Sequence, residues 1–143
     1  MNYERRSAAE RVQSVFAILD KDENYKNRIL SVFQVKYAEK IELYIFSKTD
    51  QLRVALEQKK LDMVLVDEEI EIDEFPEETV FVYLSKTIGV EELNDHPVIC
   101  KFQKIDTIYK QILGIYADTN AAMKIKSGDN GAKIILFIFM LDF

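Results

Sequence analysis

Short apolar runs punctuate this chain, and four of them stop on a residue that carries a charge or a hydroxyl. The run SVFAIL (14–19) meets Asp20, DMVLV (62–66) meets Asp67, TVFVYL (79–84) meets Ser85, and VIC (98–100) meets Lys101. A further run, IELYIF (41–46), lies between the first and second of these. Runs this short, bounded by polar residues, predict buried strands. Between them lie segments with helical spacing. Tyr25, Ile29, Leu30, Phe33 and Tyr37 fall on one face of a helix over 23–39,. Leu52, Ala55 and Leu56 form the inner face of a second helix, with Thr49 or Asp50 as its cap,. Ile105, Ile108, Tyr109, Ile112 and Tyr116 line a third over 103–118.

Strands alternating with helices predict an α/β fold with a parallel sheet wound on both faces. Ligands of such sheets sit beyond the carboxyl ends of the strands. The residues just after each strand, Asp20 to Asp22, Asp67, Ser85 and Lys101, are therefore the candidates for chemistry.

Two connections are short. Only eleven residues separate Asp67 from Thr79, too few for a helix with two loops. The segment 67–78 carries eight acids and a proline and is expected to be a solvated loop. It lacks the glycine and the ligand spacing of a calcium loop. The stretch 85–97 leaves room for one helical turn at most, before a fifth strand beginning at Val98. Residues 119–133 are polar, include Gly128 and Gly131, and read as a linker; 134–139 then has strand character.

Composition narrows the function classes. The net charge is −6, and the 19 lysines and arginines form no basic stripe, which argues against nucleic-acid binding. The longest apolar run, 134–141, is eight residues, whereas a membrane span needs roughly 20. One cysteine, Cys100, allows no internal disulfide, and residues 1–13 lack a signal pattern, so a cytoplasmic location is expected. His96 has no second histidine to share a metal.

In the order found, ILDKDEN (18–24), VLVDEE (64–69), YLSKT (83–87) and VICKFQ (98–103), the strand-end motifs resemble the response-regulator receiver family over 14–118. The resemblance implies a three-layer, doubly wound, five-stranded parallel sheet of the flavodoxin/CheY-like kind. Its strand order would be 2-1-3-4-5, with the third and fourth crossovers shortened. It further implies Asp67 as the phosphoacceptor equivalent, Asp20 in the acidic pocket, and Ser85 and Lys101 as phosphate contacts. Phosphoryl transfer to a carboxylate needs a divalent metal and fixed donors around the phosphoryl oxygens.

This chain departs from the family at Lys21, where the second metal-binding acid is expected. An inward Lys21 would take the metal's place and pair with Asp20 or Asp67; Asp22 could serve as a ligand if the loop shifted by a residue. On this reading no cofactor is expected, and magnesium enters only if the site is a working receiver.

The segments LDKDENYKNRILSVF (19–33), VDEEIEID (66–73) and VICKFQKIDTIYKQIL (98–113) are similar to the atypical receiver that precedes the ATPase domain of TadZ/CpaE-type pilus-assembly proteins. No P-loop pattern occurs in the chain,. That resemblance implies a non-enzymatic module that works by protein contact, independently of phosphorylation, in pilus assembly or localisation. Its partners would be proteins; apart from the resemblance, the apolar residues Leu113 and Ile115, in addition to Ile108 and Ile112 on the last helix, predict a homodimer,. The alternative is a functional receiver phosphorylated on Asp67, with a histidine kinase as partner. The expected organisation is an N-terminal extension (1–13), a receiver-like domain (14–118), and a linker with an apolar tail (119–143) that reads as the stub of an ATPase domain.

Overall fold

A computed structural model describes residues 13–72 and 76–127, with side chains described as far as residue 119. Six strands and three helices follow one another as β1 (Ser14–Leu19), α1 (Glu23–Lys36), β2 (Ile41–Phe46), α2 (Thr49–Gln58), β3 (Met63–Asp67), β4 (Val80–Ser85), β5 (Glu92–Leu93), β6 (His96–Cys100) and α3 (Ile105–Ser127). The strands form one sheet in the order β2-β1-β3-β4-β6-β5. Every pairing is parallel except β5 with β6. The expected five-stranded order is therefore present, with β6 as its fifth parallel strand and β5 added at the edge.

The central strands are apolar throughout because both of their faces are covered. On one face, Phe16, Ile18, Leu65 and Val82 pack with Ile29 and Phe33 of α1 and with Ile108 and Ile112 of α3. On the other, Ala17, Leu19, Val64 and Val66 pack with Leu52 and Ala55 of α2. Rings tie α1 to α3. Tyr37 stacks on Tyr109 with centroids 3.6 Å apart, and Phe33 meets Tyr109 edge-on at 5.9 Å.

The structure departs from the sequence reading at several element boundaries. The first helix ends at Lys36, where Tyr37 caps it. In the second, Thr49 and Asp50 lie inside the helix and Lys48 is the cap residue. The terminal donors there are met by Gln51, whose Oε1 accepts from the backbone N–H groups of Ser47 and Lys48 at 2.9 and 3.1 Å. After β4, where the sequence left room for one helical turn at most, the chain makes a hairpin of β5 and β6. Its two turn residues, Asn94 and Asp95, have φ of 50° and 67°. Asn and Asp tolerate that left-handed region, which suits two-residue hairpins. As a result β6 starts at His96, two residues before Val98.

The last helix runs nine residues past Asp118, into the segment read as a linker. Five of those nine residues are polar, but none before Gly128 is a glycine or proline that would stop a helix,. The extension 1–12 and the tail from 128 lie outside the described residues.

Between β3 and β4 the described residues form turns and no helix. Ile70 and Ile72 from this acidic loop pack on the α2 side of the sheet. No helix among the described residues is long and apolar enough to cross a membrane.

Candidate functional site

Parallel winding brings the ends of β1, β3, β4 and β6 to one edge of the sheet, and with them Asp20, Asp67, Ser85 and Lys101. All four are buried: Asp20 is 1% exposed, Asp67 7%, Ser85 0% and Lys101 1%. Lys101 is held in register by its backbone N–H, which donates to the carbonyl of Ser85 at 2.8 Å. Its side chain then turns inward between the two aspartates. Nζ lies 2.7 Å from Asp20 Oδ2 and 3.1 Å from Asp67 Oδ2. The bond to Asp67 is well formed, whereas the closer approach to Asp20 is an ion pair that meets Oδ2 off the hydrogen-bonding direction.

Each aspartate is also fixed from behind. Asp20 Oδ1 accepts from the backbone N–H of Asp22 at 2.9 Å, and Asp67 Oδ1 accepts from that of Glu69 at 2.8 Å. Both remaining oxygens thus converge on one ammonium. Burial pushes the Lys101 pKa down, but the two carboxylates outweigh it and raise the value above that of an ordinary lysine. Beneath Nζ lies the ring of Tyr25, 4.9 Å away at its centroid. The Tyr25 hydroxyl is itself buried without a hydrogen-bond partner among the described residues. Burial first, then the nearby Asp20 charge, holds its pKa well above the usual tyrosine value.

The other predicted residues take outer positions. Asp22 is exposed and caps α1, its Oδ1 accepting from the backbone N–H of Tyr25 at 3.1 Å. That bond is the main cause of its lowered pKa. Lys21 is exposed and lines the mouth of the cavity. The inward pairing considered for Lys21 is made by Lys101 instead. A short turn, closed by the bond from the Asp22 N–H to Asp20, leaves Lys21 at the mouth. Ser85 Oγ accepts from the backbone N–H of Thr87 at 2.9 Å and keeps its own proton to donate.

The cavity is about 250 Å³ and also borders Glu69, Ile70 and Lys86. Lys86 Nζ stands 3.8 Å from Glu69 Oε2 at the rim. Two further residues escaped the sequence reading. Tyr25 was read only as part of the apolar face of the first helix, not as a neighbour of the pocket. Lys26 is buried, with Nζ donating to Ser47 Oγ and to Glu23 Oε2, the latter at 3.0 Å. It ties the start of α1 to the end of β2.

The donor set does not fit a magnesium ion. Magnesium demands hard oxygen ligands in near-octahedral geometry. Here a lysine stands where a second acid would be, Asp22 is committed to the helix cap, and the inward oxygens of Asp20 and Asp67 already face a cation. Among the described residues no group of three or more His, Cys, Asp or Glu is arranged to hold a metal.

Solved structures with the same architecture are receiver proteins. SdrG from Pseudomonas melonis Fr1, in its BeF3-activated conformation, superposes with a TM-score of 0.56 at 13% identity, covering 71% of this chain and 95% of that one. RcsB from Salmonella enterica serovar Typhimurium, bound to promoter rprA in the presence of BeF3−, gives 0.55 at 12% identity, covering 81% and 68%. At such identities the likeness establishes the fold. No curated protein matches the chain. A family model does: that of the TadZ-like receiver domain matches residues 12–117, a span that contains the whole strand-end constellation. The chain belongs to the TadZ-like receiver-domain family.

Proposed function

We propose that this chain is a phosphorylation-independent protein-interaction module, an atypical receiver without catalytic activity that serves the assembly or localisation of a Flp/Tad-type pilus. The observation that carries the reading is the incomplete acidic pocket: Lys21 lines its mouth where a second acid is expected, and Asp22 is committed to the helix cap. A phosphoryl group on Asp67 would meet the Lys101 ammonium but no metal ligand set to share its charge. Lys101 offsets one of the two buried carboxylate charges from within the protein. In this reading Asp67 keeps the phosphoacceptor's place, and Ser85 and Lys101 keep the phosphate-contact places, as structural elements. The working protein is a cytoplasmic homodimer that presents its surface to other proteins.

Magnesium and beryllofluoride test this by amide chemical-shift titration of the full chain. Asp67, Ser85 and Thr87 are expected to show no saturating response at sub-millimolar magnesium. Lys21→Asp restores an acid at the pocket mouth and is expected to create or strengthen the response. Saturation in the unaltered protein, with no gain from Lys21→Asp, would make the chain a functional receiver served by a histidine kinase.

A further inference from the structure

The two faces of the sheet are not covered alike. On the α2 side that helix packs over β1 and β2, while over β4 and β6 no helix follows among the described residues. That part of the face is aromatic. His96 stacks on Phe81 with centroids 4.7 Å apart and meets Tyr83 edge-on at 6.0 Å. Val98 lies beside Tyr83 in the β4–β6 register, and Leu93 lies opposite His96 across the hairpin. Tyr83, His96, Val98 and Leu93 are each only half-buried. On the link from β4 to β5, Ile88 is 80% exposed and Val90 37%.

Charge in the segment that carries most of this surface is one-sided. Residues 67–95 hold eleven of the 25 acids and one of the 19 bases, so they carry a formal −10 while the rest of the chain carries +4. Glu77 and Glu78 stand exposed before β4, and Glu91, Glu92 and Asp95 stand exposed around β5.

From this we infer that the aromatic face of β4 and β6 docks an amphipathic helix of another protein, with an apolar stripe flanked by lysine or arginine. The form of the partner follows from the hydrogen bonding. β4 is paired on both edges, and β6 is paired with β4 and, at His96 and Pro97, with β5, so a strand could add only at the outer edge of the sheet and not across this face. Side chains are what this face offers, and a helix in the α2 layer can use them. Its cations meet the glutamates on either side of the aromatic strip. The inference rests on reading the chain as an interaction module, but it makes no use of the Asp67 pocket, so the beryllofluoride titration can fail or succeed independently.

The test is a titration of the 15N-labelled full chain with a designed helical peptide of roughly 18 residues, carrying a leucine stripe and lysine flanks. A scrambled peptide of identical composition is the control for charge alone. Saturating shifts at Tyr83, His96 and Val98 are expected with the designed peptide only. Tyr83→Ser, and separately Glu91→Lys with Glu92→Lys, should each weaken binding by about ten-fold or more, with amide dispersion retained to show that the variants fold. Equal binding of the scrambled peptide, or shifts confined to α1 and α3, would overturn the inference. So would concentration-dependent shifts at these residues without peptide, which would assign the face to a second copy.

Discussion

Replacing Lys101 with methionine is expected to lower the unfolding free energy by about 3–5 kcal/mol at neutral pH, the cost of breaking a buried pair on one side only. Methionine keeps most of the side-chain volume, so the loss is electrostatic and not that of a cavity. Two buried carboxylates are left facing each other, each held by a backbone donor from behind and neither with a cation in front. Neutralising them as well, in Lys101→Met with Asp20→Asn and Asp67→Asn, is expected to recover a large part of the stability, because uncharged isosteres of buried ion pairs are often tolerated. Urea unfolding of the three proteins measures this. A loss under about 1 kcal/mol for Lys101→Met would place the ammonium in solvent and remove the bridge.

The pH dependence has a definite sign. The folded Lys101 pKa is raised, so its contribution is fully present below the unfolded lysine value of about 10.4. It is lost as pH rises through the higher folded value. Tyr25 titrates in the same sense, because burial favours its neutral form. The comparison therefore belongs in a Tyr25→Phe background, where the alkaline decline should be present with Lys101 and reduced in Lys101→Met.

Truncating Phe33 to alanine is expected to cost about 3–5 kcal/mol, since the site gathers transfer and cavity losses together. Phe33 is 1% exposed and sits edge-on to Tyr37 at 5.3 Å and to Tyr109 at 5.9 Å. Its ring is part of the seam between α1 and α3 over β1 and β3. Two residues on, Val35 is 84% exposed in the same helix, and Val35→Ala should change stability by no more than about 0.5 kcal/mol. Comparable effects at the two positions would mean that the helix faces the sheet differently.

The strand-end residues were legible because each follows an uninterrupted apolar run, and burial on both faces is what produces such runs. The order of the motifs then placed Asp20, Asp67, Ser85 and Lys101 at one edge. What spacing does not carry is direction. Lys21 sits beside Asp20 in sequence, yet the cation between the aspartates comes from Lys101, brought in by the β4–β6 register. β5 left no signal because two residues have no periodicity, and its turn reads as an ordinary polar loop. The end of α3 was set too early because polarity was taken as a stop, although no helix-breaking residue stands there. The buried Lys26 follows from packing against β2, which local pattern does not reveal.

Whether Asp67 accepts a phosphoryl group is the most direct test of the account. The full chain is incubated with magnesium and a small acyl phosphate donor, quenched in acid and weighed intact. An unmodified mass is predicted for the protein and for Asp67→Asn alike. A stoichiometric gain of one phosphoryl group that disappears in Asp67→Asn would contradict the account and make this a working receiver.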